Sequence, residues 1–329
     1  MIGNKDLYFN PNYAKVYKEI DGDSDTFTFE CEYGMVSNTY IIRKVPWEID
    51  SKTYYDIVTP YGYGGPHAEN VTDIIRLMQE YQNAFTAYCL EKNIICEFIR
   101  FHLFDNVDVR EHFYGETIHM LDNVVVDTKG DFDTDIWMGY EQKVRKNVKK
   151  ALRNNLEIII EKNLDHLDDF MSIYNSTMDR NNADDYYYFK ADYFKRIAEL
   201  LPDNFMYFHV LKDGKIVSTE LVLCSEKYAY SFLGGTLTEY YEFRPNDFLK
   251  NEIIKWCNQT GREKFILGGG YHKDDGIYKY KRGFTKDEDV PFYAGRFIYN
   301  QKVYDKIIAY RKAIEPSFTG ESGYFPAYR

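Results

Sequence analysis

Apolar positions along the chain change period several times, and each change marks an element. Up to about residue 55 the pattern alternates, and residues 26–32 and 39–44 are rich in aromatic and β-branched side chains, as strands are. Residues 54–58 read as a further strand. It runs into Thr59-Pro60-Tyr61-Gly62-Tyr63-Gly64-Gly65-Pro66, a stiff, glycine-rich loop that neither helix nor strand accommodates. Apolar residues then recur at helical spacing over residues 71–92 (Ile74, Ile75, Met78, Tyr81, Phe85, Tyr88, Cys89), and residues 94–101 predict another strand. Residues 117–126 predict one more, followed by an acidic seam at residues 131–135.

A strongly basic amphipathic helix opens the second half. Val144, Val148, Ala151 and Leu152 form its apolar stripe, and Lys143, Lys146, Lys150 and Arg153 form a second stripe. After a strand at 156–161 come helices over 164–180 and 187–201, the latter stopped by Pro202. Strands at 205–211 and 216–224 are joined through Asp213-Gly214, the strongest hairpin signal in the chain. A strand at 228–233 ends at Gly234-Gly235, and a helix over 247–259 leads through Gly261 to a short apolar strand at 265–267. Gly268-Gly269-Gly270 follow directly. Asp274 is placed to cap a short segment dense in Tyr and Lys that closes on Gly283 and Phe284. A strand at 291–299 and a helix at 302–314 complete the pattern.

Two stretches now look alike. Residues 54–101 and 228–267 each run strand, glycine loop, helix, strand, which indicates an internal duplication. Such a unit normally makes two parallel neighbours with a right-handed crossover, and ligands in such sheets sit at the carboxyl ends of the strands. In the second copy both ends are glycine, at Gly234-Gly235 and Gly268-Gly269-Gly270. The expectation is a cleft between two bare strand ends.

Bulk properties narrow the partners. With 329 residues the length favours two domains, set here at 1–140 and 141–329. The hydrophobic content of 44% without a long apolar run predicts a soluble, cytoplasmic protein with no membrane span and no secretory signal. A net charge of -11 argues against a large nucleic-acid footprint, DNA included, because phosphate binding needs clustered Lys and Arg. Five scattered cysteines read as reduced core thiols without disulfides. The 32 tyrosines and 23 phenylalanines suit the half-buried walls of a polar-ligand cleft.

The order strand, two helices, three antiparallel strands, crossover helix, strand, short helix, strand resembles the GNAT acyltransferase fold, an α/β fold on a mixed sheet. Two such units in tandem, with Tyr61-Gly62-Tyr63-Gly64-Gly65-Pro66 in the first, resemble the FemAB-like branch of that superfamily. The basic run 145–153, Phe232-Leu233-Gly234-Gly235-Thr236, and Gly268-Gly269-Gly270 with Tyr280-Lys281-Arg282-Gly283-Phe284 match it too. The resemblance implies transfer of an acyl or aminoacyl group to an amine. It offers acyl-CoA or aminoacyl-tRNA as the donor, with no tightly bound cofactor, and as acceptor an activated or lipid-linked glycan or peptide precursor of the cell wall, reached at the inner face of the membrane. Two departures stand out. Ordinary GNAT enzymes cradle the coenzyme A pyrophosphate on glycines at the crossover helix, where this chain reads Phe243-Arg244-Pro245-Asn246-Asp247. The long helical hairpin of many FemAB-like members, a docking element for charged tRNA, has no room between Arg145 and Arg180.

The candidate chemistry follows. Lys281 is placed to polarise the donor carbonyl, in the position of a family Phe-Lys pair with Tyr280 replacing Phe, the competing reading being a solvated lysine between Lys279 and Arg282. Glu220 is the candidate base, its competing reading an ion pair with a neighbouring Lys or Arg. Gly234, Gly235, Leu267, Gly268, Gly269, Gly270 and Tyr280 are expected along the donor channel. Arg145 and Lys149 are expected on acceptor phosphates and Tyr61 and Tyr63 on the acceptor itself. His67 and His272 each follow a glycine loop and are read as incidental. No His, Cys and acid set has metal spacing, and no Ser or Cys sits in a nucleophile elbow, so direct transfer without a covalent enzyme intermediate is the simpler account. Two other functions stay open: a conventional acyl-CoA-dependent N-acetyltransferase on a small amine or amino sugar, and a silent member that only binds an anionic glycan or nucleotide-sugar.

Overall fold

The computed structural model describes residues 5–272, 274–320 and 323–329. In chain order the elements begin with helix α1 (Pro11–Val16), strands β1 (Ser24–Cys31), β2 (Gly34–Lys44), β3 (Tyr55–Val58) and β4 (His67–Glu69), helix α2 (Ile74–Glu91) and strand β5 (Ile94–Arg100). Helix α3 (Val107–Glu111), strands β6 (Glu116–His119) and β7 (Val124–Asp127), and helices α4 (Trp137–Gly139) and α5 (Gln142–Arg153) lead to β8 (Glu157–Glu161). Helices α6 (Leu167–Arg180) and α7 (Ala191–Leu200) precede β9 (Phe205–Lys212), β10 (Lys215–Cys224) and β11 (Tyr228–Thr236). Helix α8 (Pro245–Gln259), β12 (Lys264–Gly268), α9 (Gly276–Arg282), β13 (Tyr293–Ile298) and α10 (Gln301–Ile314) close the chain.

The chain forms two compact units. One holds Tyr8–Met120 with the described residues from Pro291 on, the other Leu121–Val290 with residues 5–7. In the first, strands run β1-β2-β3-β5-β13-β6, with β4 on β2. In the second they run β7-β12-β11-β10-β9-β8. The duplication read from the sequence appears in both: β3 pairs in parallel with β5 across α2, and β11 in parallel with β12 across α8. An antiparallel strand then flanks each pair, β13 on β5 and β7 on β12.

Those flanking strands correct two sequence expectations. Residues 117–126 are not one strand but β6 in the first sheet and β7 in the second, separated by residues 120–123, of which Met120 and Leu121 stay exposed. The strand at 291–299, expected with the domain 141–329, pairs instead with β5 and β6 of the first sheet. A boundary at residue 140 therefore falls inside the second unit. Alternation alone says that a segment is a strand, while its partner is chosen by tertiary packing.

Each unit has its own core. In the second, Phe248, Leu249, Ile253, Ile254 and Cys257 of α8 and Val144, Val148 and Ala151 of α5 pack on Phe208, Val210, Val222, Phe265 and Leu267 of the sheet. In the first, α2 lays Leu77, Met78, Tyr81, Phe85 and Cys89 on Val36, Tyr40, Ile57 and Ile94. All five cysteines are free, four of them buried. Among the described residues no helix is long and apolar enough to cross a membrane.

Candidate active site

Strand β11 builds the site. It pairs with β12 only over three positions, the last being Tyr230 opposite Ile266. On its other side Leu221 faces Leu233 and Val222 faces Ser231, which leaves Phe232 as a bulge. A bulge bends its strand, so β11 turns away from β12 where the pairing stops. The gap is a cavity of ≈ 860 Å³ walled by residues 231–236, the first turn of α8, Lys143 and Asn147 of α5, and Lys279, Tyr280 and Lys281 of α9.

Gly234 and Gly235 do not end the strand, as the sequence suggests, but lie within it and thin its wall. A Cβ on Gly234 would stand 2.6 Å from the Thr219 carbonyl oxygen, and one on Gly235 2.4 Å from Oγ1 of Thr177 on α6. The triple glycine serves α9 instead. Gly268 adopts φ 78°, and a Cβ on Gly270 would lie 2.5 Å from the Asp275 carboxylate. That carboxylate, not Asp274, caps α9: it accepts from the Tyr278, Tyr271 and His272 amides, and these bonds hold its pKa below the ordinary range. Asp274 takes a left-handed backbone, φ 58°.

Three charged side chains meet at the cavity floor. Lys250 reaches across from α8 and donates to both oxygens of Glu220, each at 2.6 Å, and to Ser231 Oγ at 2.7 Å. Side chains of the pair are 9% and 4% exposed, so this is a buried ion pair with every ammonium proton used. Lys281 Nζ donates to the Gly269 carbonyl at 2.6 Å. Burial pushes the Lys281 ammonium down to about 8, Lys250 adds to the fall, and Glu220 and Asp275 oppose it. Lys250 takes both Glu220 oxygens while Lys281 is held only by a neutral carbonyl, so this group of two lysines and one carboxylate is net positive at pH 7. The Tyr280 hydroxyl lies beside it, buried and without a hydrogen-bond partner among the described residues.

The remaining expected residues are scattered. Leu267 is core, and Gly268, Gly269 and Gly270 are not among the residues lining the cavity. Arg145 turns back to the Met138 and Tyr140 carbonyls, and Lys149 is exposed outside the cavity; the basic helix presents Lys143 and Asn147 instead. Tyr61 and Tyr63 belong to the other unit, where Tyr63 packs edge-on to Tyr8 and Phe292 and the Tyr61 carbonyl accepts from Tyr13. Lys250 is the site residue that no sequence motif marks, although Lys250, Ile253, Ile254 and Cys257 follow the i, i+3, i+4, i+7 spacing of a buried face.

The start of α8 does not suit a pyrophosphate. Pro245 removes one first-turn amide, and Asp247 places a buried carboxyl there that accepts from Asn147 at 3.1 Å. Burial raises the Asp247 pKa, while Asn147 and Arg244 oppose the rise. The ordinary cradle for coenzyme A needs bare amides at this point.

Residues 140–282 match the family model for the acetyltransferase (GNAT) domain. Over 151 residues, 45% of this chain, the sequence is 24% identical to UDP-N-acetylmuramoylpentapeptide-lysine N(6)-alanyltransferase of Weissella viridescens. The match spans 44% of that relative's length. Among solved structures, FemX superposes with a TM-score of 0.70 at 14% identity, over 93% of this chain and 95% of FemX. The C-terminal domain of a putative lysylphosphatidylglycerol synthetase from Agrobacterium fabrum gives 0.56 at 14% identity, over 92% and 96% of the two chains. L-PGS from Bacillus licheniformis gives 0.53 at 12%, over 90% and 93%. Residues 140–282 thus resemble a GNAT-type acetyltransferase domain, and the chain as a whole has the fold of FemX. More particularly, like FemX over nearly its whole length, it repeats a strand–helix–strand parallel unit in each of its two sheets.

Proposed function

We propose that this chain aminoacylates an amine on a peptide or glycan precursor of the cell wall, by direct attack inside the ≈ 860 Å³ cavity. The observation that carries the proposal is the net positive floor made by Lys281, Lys250 and Glu220. A neutral acceptor amine attacks the donor carbonyl, and a C–N bond forms as the carbonyl oxygen takes negative charge. Lys281 stabilises that oxygen, with Lys250 behind it. Collapse breaks the donor's ester or thioester bond, and the amine proton leaves with the departing oxygen or sulfur. Glu220 has both oxygens on Lys250, so its role here is to hold that ammonium in place rather than to act as a free base. The likeness to the Weissella alanyltransferase favours a peptidoglycan precursor as acceptor. The carboxyl at the start of α8 favours a carrier other than coenzyme A.

Donor and acceptor are tested together. The protein is incubated with UDP-N-acetylmuramoyl-pentapeptide and either alanyl-tRNA or labelled acetyl-CoA, and products are followed by mass spectrometry. Transfer from the charged tRNA is the expected result. Transfer from acetyl-CoA alone would replace the reading by a conventional N-acetyltransferase, and turnover of neither would overturn it.

A further inference from the structure

A second cluster of functional groups lies in the same unit, away from the charged floor. Register puts it together. Ile159 of β8 faces His209 of β9, so Glu161, two residues on, is the diagonal neighbour of His209 on one sheet face. Thr219 of β10 sits directly opposite His209 on the other side. Alternation turns Thr219 to this face and Glu220 to the opposite one. His166 precedes α6 and brings its ring to the same carboxylate.

The distances are short. Glu161 Oε2 lies 2.9 Å from His166 Nδ1, and Glu161 Oε1 lies 3.4 Å from His209 Nε2. One ligand atom from each of the three residues falls within 4.8 Å of the others. Tetrahedral bonds of about 2.0–2.1 Å set ligand atoms roughly 3.3 Å apart, so small side-chain rotations close the set around an ion. We propose that Glu161, His166 and His209 bind a divalent transition-metal ion of the zinc class, with water completing the coordination, and that the ion fastens the start of α6 to β8 and β9.

Three further features fit. His209 is fully buried, and its Nδ1 is paired with Thr219 Oγ1 at 2.8 Å, which fixes the ring and turns Nε2 toward Glu161. Nε2 has no good hydrogen-bond partner among the described residues, which leaves its lone pair open to a ligand. The His166 side chain is 34% exposed, which leaves an entry path and room for the water. The positive end of α6 opposes a cation here, and Glu161 with Asp168 and Asp169 of the first turn offsets it. In sequence the set is invisible, since His209 follows His166 by more than forty residues and only the strand register unites them.

The test uses the full-length, tag-free, chelator-treated protein and zinc chloride, with binding read by calorimetry and Co²⁺ substitution read by visible absorption. The expected result is one ion per chain, a tetrahedral Co²⁺ spectrum and a higher Tm with zinc. Thr219→Val should weaken zinc binding by about 10–100-fold. His166→Ala, at a half-exposed position tolerant of truncation, should abolish stoichiometric binding. Absence of 1:1 binding to the native chain, or unchanged affinity in His166→Ala, would overturn the proposal.

Discussion

Replacing Lys281 by Met separates the proposed catalytic role of this lysine from its role in folding, because the two predict opposite signs. The native ammonium is held in a site where burial and Lys250 lower its pKa from 10.5 to about 8. Keeping it charged in the folded protein below pH 8 therefore costs about 3 kcal/mol, at about 1.4 kcal/mol per pKa unit. Met keeps the methylene packing and removes the charge, at the loss of one hydrogen bond to Gly269. Lys281→Met is expected to be more stable than the native chain at pH 7, by up to about 3 kcal/mol less the lost bond. The sign with pH is fixed by linkage. Between the folded pKa near 8 and the unfolded value of 10.5 the unfolded chain binds the extra proton, so native stability rises with pH and the advantage of the variant fades across that window. Urea unfolding at pH 7 and pH 10 measures both. Meanwhile kcat should fall by about 10²–10³, the usual loss for one oxyanion donor. In the native enzyme activity should decline as pH rises through about 8 and Lys281 loses its proton. A variant that is less stable than the native chain by more than about 1 kcal/mol would refute the desolvation reasoning. Unchanged kcat would refute the oxyanion role.

Other expectations follow from the same cavity. Glu220→Gln strands the buried Lys250 ammonium and should destabilise the fold by about 3–5 kcal/mol in urea, while Glu220→Met with Lys250→Met should recover most of that loss. Gly235→Ala drives a methyl into Thr177 and should cost about 1–3 kcal/mol, whereas Gly276→Ala, with open space around its Cβ position, should stay within about 0.5 kcal/mol by thermal melting. Lys143→Ala should raise a substrate KM in steady-state assays and Lys149→Ala should not, since Lys143 lines the cavity and Lys149 does not; equal effects would argue against this cavity as the binding site.

What the sequence made legible was local. The two βαβ units, the Asp213-Gly214 hairpin and the basic helix depend on periods and turn chemistry within about forty residues, and each appears in the structure. What it hid depended on partners far along the chain. The segment around Met120 reads as one strand because nothing in its alternation says that its two ends join different sheets. Asp274 and Asp275 are equal as caps on paper, and only the space left by Gly270 selects Asp275. Glu220 reads in the sequence either as a base or as one side of an ion pair, and only the fold supplies the partner that decides it, Lys250, thirty residues away on a helix.

The two flanking strands bear on how the chain is made. Strand β13 lies between β5 and β6, so the first sheet holds an open seam until residue 298 has been synthesised. On a ribosome adding about 5–20 residues per second, the β5 edge waits roughly ten seconds or more for its neighbour, unpaired in the meantime. The N-terminal unit thus cannot complete its sheet before residues 121–290 of the other unit have been translated. A chain that stops between β5 and β13 would leave the β5 edge uncovered, and an open edge of that kind is a template for aggregation.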